Sequence, residues 1–172
     1  MTQFQDQKTA QTPYTKKLRR TYEKYYFIPG DLGFKPIQTS VGKLGVLICW
    51  DQWFPEGARL MAMNGADLLI YPTAIGWDDN EPQSVYASQV DAWQTIMRSH
   101  SIANGLHTVA VNRIGKEGHL NFWGNSFCSD PFGKFLTIDS SEKKTPTTID
   151  IDLNQKNEAR KIWPFFRDRR ID

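Results

Sequence analysis

The clearest pattern along the chain is an apolar run, Lys43-Leu-Gly-Val-Leu-Ile-Cys49, that stops abruptly at Trp50-Asp-Gln-Trp-Phe-Pro-Glu56. A short continuous apolar run bounded this way predicts a buried strand. Apolar positions then recur at helical spacing, with Pro55 suited to a first turn and Gly65 to a stop, so residues 54–64 are expected to be a helix. Asp67-Leu-Leu-Ile-Tyr71, ended by Pro72, predicts a second short strand. Residues 83–104 carry Val90, Trp93 and Met97 on one stripe, with Ala92, Ile96 and Ala103 beside it, and Gly105 behind. That is the pattern of a long amphipathic helix. Residues 108–112, 126–129, 134–138 and 147–152 read as further strands, the last two separated by a polar loop. The order β-α-β-α-β followed by more strands predicts an α/β layered domain with helices covering a sheet.

The two ends have a different texture. Residues 1–21 are polar, Gln-rich and without period, and Lys16-Lys17-Leu18-Arg19-Arg20 reads as a solvated basic stretch. This segment is expected to be poorly ordered. The tail from Trp163 to Asp172 is aromatic and basic with no regular period. An extended arm packed against something is expected, because exposed aromatics are a liability.

Composition narrows the function classes. With 21 Lys and Arg against 19 Asp and Glu, the net charge of +2 gives no electrostatic ground for nucleic-acid or membrane-surface binding. No stretch approaches a membrane span, and the first twenty residues lack the apolar core of a signal peptide. The two cysteines, Cys49 and Cys128, lie far apart, which suits a reducing compartment, and a cytoplasmic location is expected. Six Trp and an aromatic share of 13% point to a pocket or a large interface. His100, His107 and His119 lack metal-ligand spacing and no phosphate-cradling glycine loop is present, so neither metal nor cofactor is expected.

Cys49 carries the chemistry. A thiol where a strand turns into a helix can be held by a tight elbow, with the following N–H groups facing a reacting carbonyl. A thiol near its ordinary pKa of about 8.5 is a weak nucleophile at pH 7 without a base or a cation beside it.

Several segments, in order, resemble the nitrilase (carbon–nitrogen hydrolase) superfamily. They are Leu47-Ile-Cys49-Trp-Asp-Gln-Trp-Phe-Pro-Glu56, Tyr22-Glu-Lys-Tyr-Tyr-Phe-Ile-Pro-Gly-Asp31, Tyr71-Pro-Thr-Ala-Ile-Gly76 and Val109-Ala-Val-Asn-Arg-Ile-Gly115, followed by Gly124-Asn-Ser126, Asp130-Pro-Phe-Gly133 and Phe166-Arg-Asp-Arg-Arg170. The resemblance runs from Tyr22 to Arg170 and is nearest to a branch of amidases acting on carbamoylated amines. It implies an αββα sandwich and a Glu-Lys-Cys triad in which the Cys attacks an amide or ureido carbonyl, forming a thioester that water hydrolyses. The family's Glu and Lys precede the Tyr22 match, and Lys8, Lys16 and Lys17 lie in sequence that does not fit their segments. Cys49 is therefore the triad member that carries over. The expectation is an N-terminally truncated member, a partial αββα sandwich, with residues 1–21 non-matching and 22–172 the C-terminal portion of the hydrolase domain.

The resemblance also assigns supporting roles. Glu23 matches an acid near the triad that positions substrate or water, and Trp50 matches the position whose N–H completes the oxyanion hole. Glu56 and Arg59 are expected to support the elbow. Gln52 and Trp53 stand where related enzymes place arginines for a substrate carboxylate, so an amine tail fits better, received by Trp53, Trp77 and Asp79. A plain reading of residues 77–81 is a charged surface loop. The expected partners are a small carbamoylated amine and further copies of the chain, meeting through residues 83–104 and the aromatic tail. The alternative is a catalytically dead remnant that binds a ligand or co-assembles with an intact relative.

Overall fold

The structure, a computed structural model, describes residue 28 and residues 30–139 and 146–170. Glu23, Lys16, Lys17 and the whole of residues 1–21 lie outside the described residues. A six-stranded mixed sheet and a three-stranded antiparallel sheet organise the rest. Strands β1 (Ile37–Thr39), β2 (Gly42–Val46), β3 (Leu68–Thr73), β5 (His107–Asn112), β8 (Phe127–Ser129) and β9 (Phe135–Ile138) form one six-stranded sheet in the order β1-β2-β3-β5-β8-β9. Within it β2, β3 and β5 run parallel, and β1, β8 and β9 flank them antiparallel. A three-stranded antiparallel sheet, β4-β7-β6, is built from β4 (Gly76–Asp78), β6 (Ile114–Glu117) and β7 (Leu120–Trp123).

Helices α1 (Pro55–Met63) and α2 (Tyr86–Asn104) connect the parallel strands and cover one face of the large sheet. Parallel neighbours need such crossovers, so helices between strands are what the topology demands. The core lies between these layers: Leu47, Leu69, Tyr71 and Ala110 from the sheet meet Met61, Trp93 and Met97 from the helices, all fully buried. Gly45 allows the close approach, because a Cβ there would sit 2.8 Å from Leu69 and 3.1 Å from Met61. Pro55 opens α1. Gly105, at φ +57°, closes α2, its N–H reaching the Ile102 carbonyl. The expected α/β layered fold is the observed one.

Four features depart from expectation. Residues 147–152 form no strand; their burial alternates, but among the described residues no strand supplies a ladder. The chain then forms α3 (Gln155–Ile162), which sequence reading passed over. The tail is not an extended arm: Phe165–Asp168 makes a short helical turn, α4, whose Phe166 packs against the core. Strands β4, β6 and β7 were also missed, since their polar residues belong to a half-exposed small sheet.

Candidate active site

Cys49 leaves the sheet at the carboxyl end of β2. The pairing of β2 with β3 runs one residue past the strand, with Leu47 N–H donating to the Ile70 carbonyl at 3.0 Å. The chain then turns into a short 3₁₀ helix, Cys49–Trp53. Cys49 opens it at φ +49°, a left-handed conformation that L-residues with a Cβ adopt at a cost of about 1–3 kcal/mol. Such strain persists only where the surroundings impose it, and here the imposing groups are visible. The Ile48 N–H donates to the Asp51 carboxylate at 3.1 Å, and the Asp51 N–H returns to the Ile48 carbonyl at 3.1 Å. Phe54 N–H then bonds the Asp51 carbonyl at 3.2 Å. Asp51 is buried, so its carboxylate acts as an internal staple across the elbow.

Gln52 fastens the elbow to α2. Its side-chain oxygen accepts the Trp93 indole N–H at 2.8 Å, and its carbonyl accepts the His100 Nε2–H at 2.8 Å. All three residues are buried. Because a carbonyl can only accept, His100 must carry its proton on Nε2. Burial, only partly countered by that carbonyl and by Glu56, holds the His100 pKa below its ordinary value and keeps the ring neutral. His100 in turn stacks on Tyr71, whose phenol is pushed upward by burial and by Asp51.

The residues singled out from the sequence fall into two groups. Cys49, Trp50, Trp53, Glu56 and Arg59 follow one another along the elbow and α1. Cys49 is half-buried. Trp50 exposes its ring, which meets Trp53 edge-on at 6.5 Å, while its N–H lies in the first turn, where helical N–H groups have no intrahelical partner. Trp53 packs against the core with its indole N–H buried and unpartnered. Glu56 is exposed in the first turn of α1, where an acid favours the helix dipole. Arg59 lies over the Phe166 ring at 4.9 Å.

Trp77 and Asp79 sit apart, on β4 and the turn after it. Trp77 stacks on Tyr86 at 4.9 Å and tilts against Trp123 at 5.4 Å, and Trp123 meets Trp93 at 6.0 Å. A chain of rings thus connects β4 to the Gln52 clasp. The Asp79 carboxylate is held by Asn121 and by Lys116, the latter at 2.7 Å. Sequence reading missed Asp51, Trp93 and His100 as elbow supports, and also Asn112. Buried at the end of β5, Asn112 exchanges both bonds with Ile75 (2.9 and 3.0 Å) and donates to the Gly124 carbonyl at 2.9 Å. A polar residue closing an apolar strand was the available signal. Among the described residues no cluster of His, Cys, Asp and Glu could hold a metal, and no helix is long and apolar enough to cross a membrane.

A strand, a strained cysteine elbow and a helix follow one another on a sheet of mixed strands. The chain belongs to the carbon–nitrogen hydrolase family, whose model matches residues 4–161. It is 44% identical over 158 residues to an N-carbamoylputrescine amidase of Solanum lycopersicum, covering 87% of this chain and 52% of that protein. It is 42% identical over 152 residues to a citrullinase of Francisella tularensis, covering 86% and 52%. A solved carbon–nitrogen hydrolase of Helicobacter pylori G27 superposes with a TM-score of 0.81 at 49% identity, covering 88% of this chain and 54% of that one. The chain spans about half the length of the curated relatives it matches.

Proposed function

We propose that this chain forms the cysteine-bearing portion of an enzyme that hydrolyses the ureido C–N bond of a carbamoylated amine, N-carbamoylputrescine, to putrescine, CO2 and ammonia. The observation that carries this reading is Cys49 in a left-handed conformation at the end of β2, stapled by Asp51 and clasped to α2 through Gln52. The Cys49 thiolate attacks the ureido carbonyl, and the Trp50 N–H receives the developing oxyanion. Such donors are worth on the order of 10²–10³ in rate. The C–N bond then breaks as a proton reaches the leaving nitrogen, and water hydrolyses the resulting thioester. Glu23 positions substrate or water. Trp53, Trp77 and Asp79 receive the amine tail; for Asp79 this means exchanging an exposed ion pair with Lys116, worth about 0–1 kcal/mol. Glu56 and Arg59 support the elbow from α1. In this reading the protein acts in the cytoplasm as a homo-oligomer, meeting through α2 and the aromatic tail.

Turnover in this reading also needs a general base and a cation at the oxyanion, the Glu and Lys that the family resemblance implies. The test measures ammonia release from N-carbamoylputrescine and from citrulline, with Cys49→Ala alongside. It is run on the chain alone and on the chain mixed with the amino-terminal half of a relative carrying the Glu and Lys. Cys49-dependent turnover in the mixture supports the reading, and its ratio between substrates sets the specificity. Clear Cys49-dependent turnover by the chain alone would show that its own residues supply both groups. A folded mixture that stays inert would leave a non-catalytic relative.

A further inference from the structure

Three guanidinium groups gather where the carboxyl-terminal turn packs onto α1 and α3. Arg59 on α1 and Arg160 on α3 each lie over the Phe166 ring, at 4.9 and 4.6 Å from its centre. Arg160 spends Nε and Nη2 on the Asn104 carbonyl at 3.1 and 2.9 Å, closing the end of α2. Arg169, three residues after Phe166, lies near enough to Arg59 to repel its charge. Arg59 Nη1 and Arg169 Nε are both shut off from water with no hydrogen-bond partner.

The acids of this region are committed elsewhere. Asp67 holds Lys156 and the Lys43 N–H, and Asp168 holds Arg167. Glu56, one turn before Arg59, is exposed. Among the described residues no carboxylate lies within ion-pairing distance of Arg59 or Arg169. Burial first, then Arg169, weakens the hold of Arg59 on its proton. Burial acts likewise on Arg160, where Asp67 opposes it and Arg59 adds to it. Like charges desolvated together, with donors left over, call for an anion.

We propose that Arg59 and Arg169, backed by Arg160, form a binding site for an oxyanion of the phosphate or carboxylate class, which accepts the two unpartnered N–H groups. The forked, weakly hydrated guanidinium is suited to both groups. The site draws Arg59 from α1, the helix that follows the Cys49 elbow, and anion binding there does not depend on turnover.

The test is calorimetric titration of the purified chain with inorganic phosphate and with malonate, in chloride buffer of constant ionic strength. Sedimentation run alongside shows whether mass changes. The expected result is saturable binding of at least one anion at unchanged mass. Arg169→Gln and Arg59→Gln should each weaken it tenfold or more, and Arg113→Gln, at an exposed pair with Glu117, should leave it alone. If Arg59→Gln fails to fold, Arg59→Lys and Arg169→Gln carry the comparison. Absence of saturable binding overturns the proposal, as does binding indifferent to Arg59 and Arg169. Loss of a dimer in Arg59→Gln without phosphate or malonate binding would also overturn it, showing that the arginines meet a partner's acid instead.

Discussion

Replacing Trp93 by Phe isolates the clasp between α2 and the cysteine elbow. Trp93 is fully buried, and its indole N–H is bonded to the Gln52 side-chain oxygen at 2.8 Å. The substitution leaves that oxygen buried without a donor, at a cost of about 1–3 kcal/mol. The missing part of the ring opens roughly 40 Å³, which at ~24 cal/mol per Å³ adds about 1 kcal/mol. The expected loss is therefore about 2–4 kcal/mol, read from urea denaturation followed by circular dichroism. Gln52→Leu should cost a comparable amount, since it strands the indole N–H. The double variant removes both partners, and two apolar groups facing each other are nearly neutral. It should thus be less destabilised than the sum of the singles by about 1–2 kcal/mol. The His100 bond is to the Gln52 backbone carbonyl, which neither change touches. A coupling under about 0.3 kcal/mol, within ordinary additivity, would refute the clasp.

The remaining predictions concern titration, thiol chemistry and packing. Burial, with Asp130 adding to it, pushes the Cys128 thiol up to about 11, so iodoacetamide at pH 8 should label Cys49 first, with Cys128 following only on unfolding; peptide mapping that finds Cys128 labelled in folded protein contradicts this. His100 and His107 both have pKa values lowered chiefly by burial, so the unfolded chain binds more protons than the folded one below about pH 6.5. Stability should be full above that pH and fall toward the depressed native values, by at most about 1.4 kcal/mol per pH unit per histidine; a flat urea midpoint between pH 7 and 5 would count against it. Gly76→Ala would drive a Cβ into the Asn121 backbone carbonyl across β4 and β7. It should cost on the order of 1–3 kcal/mol and shift Trp77 fluorescence, and an unchanged melting temperature and spectrum would show that the small sheet yields freely.

Legibility followed burial. The strands around 43–49, 67–71 and 108–112 and the two long helices were readable because each presents a continuous apolar run or stripe to one core, which fixes period and length locally. The small sheet was not, because Gly76–Asp78, Ile114–Glu117 and Leu120–Trp123 are short, half-exposed and mixed in character, and pair only once distant residues have met. Residues 147–152 show the opposite error: an alternation that suits a strand finds no partner strand among the described residues, and α3 forms just beyond.

The sequence by itself determined the layered α/β class, the place of Cys49 between strand and helix, and membership in a family through ordered motifs. Only the tertiary structure decided which groups hold the thiol. Asp51 turns inward to staple Ile48, and Gln52 reaches residues 41 and 48 positions away to clasp Trp93 and His100. The same holds for Arg59 and Arg160, far apart in the sequence and brought together over one phenyl ring. The reason is physical. Strand and helix patterns are set by neighbours along the chain, whereas a buried hydrogen bond or a cluster of charges depends on where packing places residues that share no local pattern at all.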